Sequence, residues 1–185
     1  QNNGIINHYE YIINSEGTIE IRHVLKPEGK MPLWFPRIGL TLTVSDALDQ
    51  VKWYGRGPQE NYPDRKTGYP TGIYASTVQA MYEPYLMPQD YGLRTDVRWL
   101  QLTTDKGIGL QFKMNEWFNF NIYPYSTDNL TKAMYTYQLQ KQKGMTLNLD
   151  YATTGVGCTA RGVFGAYKAM PQEYRRTISI RPMMK

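Results

Sequence analysis

An all-β fold, a large antiparallel β-sandwich, is predicted by three features of this sequence. Apolar residues recur at every second position in many short runs, turn residues separate those runs, and only one short segment has the marks of a helix. The composition agrees. Aromatics make up 14% of the 185 residues and Tyr alone occurs 16 times, a usage that suits pleated, half-buried surfaces better than helix bundles. The length accommodates one domain with a real core, so 1–185 is read as a single domain.

Taken in order, Tyr9, Tyr11 and Ile13 alternate with residues of the opposite face, Asn14 to Gly17 supply turn chemistry, and Thr18 to His23 return as the second arm of a hairpin. A connection bearing Pro and Gly, from Lys26 to Pro36, leads to the clearest strand, where Ile38, Leu40, Leu42 and Val44 face one way against Gly39, Thr41 and Thr43. Asp46 to Gln50 turn the chain into Val51 to Tyr54. From Lys66 to Tyr91 long periodicity is lost among prolines, glycines and tyrosines, so short strands and ordered loops are expected. Val97 to Leu102 and Gly107 to Phe112 bracket a turn as a hairpin, with Asp105 and Gly107 in turn roles, and Phe118, Phe120 and Ile122 mark a separate half-buried strand. Ser126 is placed to cap the one helix, Thr127 to Ala133, with Asp128 in the first turn where the helix dipole favours negative charge. Tyr135, Tyr137 and Leu139 resume a strand period, Lys141 to Gly144 turn, Met145 to Tyr151 alternate regularly, and Tyr174 to Arg181 form the last strand. The total is about ten strands, in the range of a sandwich, and no internal repeat is visible.

Several function classes are excluded by what is missing. The net charge of +5 is spread over scattered Lys and Arg, without a basic tract, helix-turn-helix pattern or zinc spacing, so nucleic acid is not an expected partner. No run approaches the roughly 18 apolar residues of a membrane helix, and no signal-like N-terminus precedes the first strand, so the chain reads as soluble, with cytoplasmic and periplasmic settings both open. The lone Cys158 cannot form an internal disulfide. His8 and His23 lack carboxylate or Cys neighbours at ligand spacing, so neither a metal nor another cofactor is expected, and satisfied strand histidines are the favoured reading. The opening Gln1-Asn2-Asn3-Gly4, without an initiator Met, suggests a piece of a larger protein.

The densest stretch runs from Trp53 to Arg65. Gly55 and Gly57 open unusual backbone angles while Pro58 and Pro63 fix φ, so a rigid, shaped loop leaving a strand is expected. Arg56, Glu60, Asp64 and Arg65 are either a polar staple whose members pair with one another, or functional groups. Glu60 and Asp64 are poorly placed for acid/base work, because the flanking arginines hold them ionised. No catalytic residue is assigned.

The run Gly55-Arg56-Gly57-Pro58-Gln59-Glu60-Asn61-Tyr62-Pro63-Asp64-Arg65 closely resembles the Gly-x-Gly-Pro-x-Glu-Asn-Tyr-Pro-Asp-Arg signature of the C-terminal small-chain domain of glycoside hydrolase family 2 β-galactosidases. Tyr82 to Arg98 resembles that domain's Tyr-x-Pro-Tyr-x-x-Pro-x-x-x-Gly-x-Arg stretch, and Leu147 to Asp150 with Gly155-Val156-Gly157 resembles its late strand and glycine turn. The likeness extends from about Gly17 to Arg181. It implies a galactose mutarotase-like supersandwich, a fragment of a larger multidomain glycosidase, with both catalytic glutamates in a separate barrel. The remaining domains of that parent and a galactoside at the domain boundary would be its partners, and an oligomeric parent stays open. A free carbohydrate-binding module and an epimerase-like sugar enzyme are the alternatives, and titration with galactose and lactose would separate the module from the fragment.

The resemblance also singles out a departure. In many relatives the glycine turn continues as Gly-x-Gly-Gly-Asp-Asp-Ser-Trp, and the Trp reaches into the neighbouring barrel to stack on the sugar. Here Cys158 to Phe164 contain no Trp, so either that wall is lost or Arg161 or Phe164 replaces it, the first by hydrogen bonds to hydroxyls, the second by stacking. Phe164 in the core is the alternative. The tyrosines of Tyr82 to Tyr91, including Tyr85, together with Arg94 form a second candidate surface, suited to a pyranose and equally to interdomain packing.

Overall fold

The computed structural model describes residues 3–158 and 162–184, and antiparallel strands dominate it. They are β1 (Gly4–Ile13), β2 (Ile19–Glu28), β3 (Arg37–Val44), β4 (Gln50–Arg56), β5 (Thr71–Thr77), β6 (Arg94–Thr103), β7 (Gly109–Tyr123), β8 (Met145–Thr153) and β9 (Tyr174–Met183). One path of hydrogen-bonded neighbours runs β1-β2-β9-β7-β6-β4-β5, while β8 pairs with β7 and carries β3 on its other side. The all-β, sandwich-like reading therefore holds.

The device that shapes this sheet is β7. Its first half, Gly109 to Met114, pairs with β9, and its second half, Asn119 to Tyr123, pairs with β8. One strand thus belongs to two layers, and β6 follows it through two register irregularities between Arg94 and Trp99. Between those layers lies a core whose largest members are Trp53, Phe112, Phe118 and Phe120, with Leu100, Leu102, Leu147 and Leu149 among them. β8 has every residue from Met145 to Tyr151 buried, which its position between two partner strands requires. Its odd-numbered positions are apolar; its even ones, Thr146, Asn148 and Asp150, are polar and face a second, hydrogen-bonded environment.

Three expectations are corrected. The strands around Phe112 and Phe120 are one strand, because Leu110, Phe112, Met114, Phe118, Phe120 and Ile122 keep a single parity that only Glu116 interrupts. Tyr135 to Leu139 is no strand: Thr136–Gln138 form a 3-10 turn in which the Gln138 side chain accepts from the Met134 and Tyr135 N–H groups, while Tyr135 and Tyr137 stack on each other in solvent. Their alternation came from that stack and not from a buried face. Between Lys66 and Tyr91 there is one strand, β5, so the described residues hold nine strands instead of about ten. The helix α1 (Thr127–Lys132) is as expected, with Ser126 Oγ accepting from the Asn129 N–H.

Candidate functional site

Strand β4 delivers the chain to the signature loop with its last residues still paired to β5, and Gly57 has no room for a side chain, since a Cβ there would stand 2.9 Å from both Trp53 and Tyr74. Two residues then anchor the loop inward. Asn61 donates its N–H to the Leu93 carbonyl at 2.8 Å and its Oδ1 accepts from the Thr95 N–H and hydroxyl. Glu60, 6% exposed, accepts from the Gly92 N–H at 2.9 Å, Tyr62 Oη at 3.1 Å, Arg65 at 3.0 Å and the Tyr85 hydroxyl. Four donors on one buried carboxylate make it a hub that ties the loop to the Tyr85–Gly92 segment. Burial, with the hydrogen bond to Glu60 among the lesser causes, pushes the Tyr62 and Tyr85 hydroxyls up, so both stay neutral donors.

Asp64 works outward. Tyr62 and Arg65 exchange backbone hydrogen bonds across the Pro63-Asp64 corner, where the proline presets the turn, and the Asp64 carboxylate projects to a segment some ninety residues later. It accepts from the Val156 N–H at 3.0 Å and the Gly157 N–H at 2.7 Å. A Cβ on Gly155 would stand 2.3 Å from the Asp64 carboxyl carbon, so only glycine can wrap this close, and Gly157 has φ of 66°. The glycine turn is thus closed around the carboxylate of the signature loop.

The pair of turns forms one side of an open cleft of about 930 Å³, which Trp34, Arg37, Tyr62, Tyr85, Asp90 and Val163 also line. Arg37 and Asp90 in its wall join it to a polar network on β3, β7 and β8 whose other members do not line the cleft. Arg37 donates to Asp150 at 2.9 Å, to Asp90 at 3.3 Å and to Asn121 at 3.3 Å; Asn148 donates to Asn121 and to the Tyr123 hydroxyl. Burial works against the charge on Arg37, but the carboxylates of Asp150 and Asp90 outweigh it and hold the guanidinium protonated. Burial pushes the Asp150 carboxyl up to about 7 against the pull of Arg37. Asp150 is 1% exposed, so no glycosidic oxygen can reach it, and it stabilises Arg37 instead of transferring protons to a substrate. Among the described residues no group of three or more His, Cys, Asp and Glu could hold a metal ion.

The residues named from the sequence separate accordingly. The four charged groups of the loop do not pair with one another as a set: Arg65 meets Glu60, but Arg56 bonds Asp96 at 2.6 Å together with Lys66, and Asp64 meets no arginine among the described residues. Burial would raise the Asp96 carboxyl, yet the hydrogen bonds from Lys66 and Arg56 hold it below its usual value. Arg94 is corrected. It is 3% exposed, donates to the Pro58 and Gly92 carbonyls, and lies over the Trp53 ring, so it braces the loop and cannot face a sugar; burial lowers its guanidinium to about 10. Tyr85 does line the cleft, though its hydroxyl is committed to Glu60. Phe164 is 64% exposed, which removes the core alternative. Arg161 lies outside the described residues. His23 is buried between Tyr151 and Asn7 under the Tyr9 ring, a satisfied strand histidine. The sequence reading missed Arg37, Asp90, Asp150 and Trp34. Asp90 and Asp150 sat inside quoted motifs, but nothing local to Arg37 or Asp150 revealed that β3 and β8 would set them side by side.

Comparison with known proteins agrees with this geometry. The family model of the β-galactosidase small chain matches residues 2–180. A β-galactosidase of Priestia megaterium is 38% identical over 147 residues, 80% of this chain and 14% of that relative. Those of Vibrio cholerae and Pseudoalteromonas haloplanktis are 39% and 34% identical over 66% and 80% of the chain, 11% and 14% of their own lengths. The chain therefore spans about a seventh or less of these relatives. With the signature loop, the glycine turn it holds and the all-β sheet in place, the chain belongs to the β-galactosidase small-chain family.

Proposed function

We propose that this chain is one domain, 1–185, of a larger β-galactosidase, and that it supports a catalytic barrel and lines part of its substrate entrance without supplying a catalytic group. The observation that carries this reading is the grip of Asp64 on the Gly155–Gly157 turn. A rigid anchor there gives the following segment a defined exit at the rim of the cleft, and Phe164, at the end of that segment, is exposed and free to meet a partner surface or a sugar. The arrangement supports binding over catalysis: Asp150, the buried carboxylate paired with Arg37, does not line the cleft. An epimerase-like role is disfavoured because His23 is buried in its own hydrogen bonds and no histidine lines the cleft.

The galactosyl-transfer chemistry, the galactoside substrate and the partner domains all belong to the proposed whole enzyme. In that enzyme, Arg161→Ala should raise KM for a disaccharide more than for an aryl galactoside, since only the former presents hydroxyls beyond the galactosyl ring. Equal changes for both substrates would overturn the entrance role. The isolated chain should show no turnover of a chromogenic β-galactoside.

A further inference from the structure

Strand β1 is firmly held, yet bare. Its ten residues pair with β2 from Gly4 opposite Glu28 to Ile13 opposite Ile19 without a register irregularity, and two side chains pin its middle: Asn7 Oδ1 and His23 Nε2 are hydrogen-bonded at 2.9 Å, and the Tyr9 ring stacks on that imidazole at 4.1 Å. A frayed terminus would show neither. All ten residues are nevertheless exposed, and six of them are Ile5, Ile6, Tyr9, Tyr11, Ile12 and Ile13. The other edge strands among the described residues differ, since β3 buries Ile38 and Val44 and β5 keeps every second residue half-buried. Free edges are ordinarily blunted by brevity, bulges, Pro or Lys, and β1 has none of these.

Side chains alternate across a strand, so two faces have to be accounted for. Tyr9, Tyr11 and Ile13 stand opposite His23, Ile21 and Ile19 of β2, of which the first two are buried, so the core side of β2 continues onto β1 and is left open there. Ile6 and Ile12 lie on the other face. A strand that is apolar on both faces has the pattern of a sheet interior. A second copy adding its own β1 along the edge would lengthen the sheet, but that strand is equally bare, so both faces would stay open. Covering them takes polypeptide above and below the sheet as well as along its edge, and the relatives, of which this chain is about a seventh or less, have ample polypeptide for that. We propose, building on the reading of this chain as one domain of a larger β-galactosidase, that β1 is an interior strand in the parent protein. Polypeptide of the parent outside 1–185 places an extended strand of alternating apolar residues along the free edge and further apolar side chains over the Tyr9, Tyr11 and Ile13 face.

The test is hydrogen–deuterium exchange on the whole enzyme, followed in peptides covering Gly4 to Ile13. In a free edge the N–H groups of alternate residues point away from β2, so about half of these amides would exchange within seconds. Under the proposal nearly all of them are protected, exchanging about a hundredfold or more slower than in urea. Tyr11→Cys and Ile13→Cys in the same enzyme, probed with a water-soluble maleimide and read by peptide mass, should each label about tenfold or more slower than in urea. Exchange of half the amides, or labelling within about threefold of the rate in urea, overturns the proposal. Protection that disappears on dilution to single copies also overturns it and assigns the edge to a second copy. Turnover of a chromogenic β-galactoside by the same preparation separates the two readings: a free β1 in an active enzyme refutes the cover alone, whereas a protected β1 in an enzyme without that activity upholds the cover and refutes the galactosidase reading.

Discussion

The signature loop and strand β1 invert what hydropathy alone would assign to them. The loop is rich in charge, yet Glu60 and Asn61 are 6% and 0% exposed; β1 carries Ile5, Ile6, Tyr11, Ile12 and Ile13, yet all ten of its residues are exposed. The difference lies in what each segment can satisfy. Every buried polar atom named in the loop meets a donor or acceptor of fixed geometry, so desolvation is offset residue by residue. Among the described residues β1 is an edge strand paired with β2 alone, and the sheet leaves all ten of its residues exposed. Burial here follows from pairing and from the reach of the layers, with apolar content a secondary influence.

Three substitutions sharpen that contrast, beginning with the largest expected effect. Glu60→Ala removes the acceptor for the Gly92 N–H and the Tyr62 hydroxyl in a buried site, and should cost about 3 kcal/mol in urea unfolding; Arg65, half exposed, can return to water and limits the loss. A cost below about 0.5 kcal/mol would mean that the hub is not what holds the loop. Asp64→Ala should cost less, about 1–2 kcal/mol, because the Val156 and Gly157 N–H groups lie near the surface and can bond water. Its distinguishing sign is local: limited proteolysis should begin between Gly155 and Phe164 well before global unfolding, and an unchanged cleavage pattern would show that the turn holds itself. Ile13→Ser, on a side chain 69% exposed, should alter stability by no more than about 0.5 kcal/mol. A large loss would show that β1 is covered in solution.

Much of the fold was legible because alternation is a local property. Ile38 to Val44, the Val51 to Tyr54 approach, Met145 to Tyr151 and the Ser126 cap could each be read from a few neighbouring residues, and each lies where expected. The run Gly55 to Arg65 also declared itself as a shaped loop, since its glycines and prolines leave little else. Two of the corrected strand readings failed for opposite reasons. Glu116 broke a continuous pattern in the eye but not in β7, and Tyr135 with Tyr137 completed a pattern that a side-chain cap from Gln138 had already diverted.

The sequence by itself determined the fold class, the place of the signature loop and the family, because backbone propensity, turn chemistry and an uninterrupted motif are written in consecutive positions. Only the tertiary structure decided who bonds whom. Asp64 was read as pairing with Arg56 or Arg65, and instead it holds a turn some ninety residues away; Arg94 was read as a surface group and is sealed beneath Pro58 and Gly92. Hydrogen bonds are directional and short, so a partner is chosen by which strands the sheet sets side by side, and β3, β7 and β8 meet only after the long path of β7 has bent from one layer into the other.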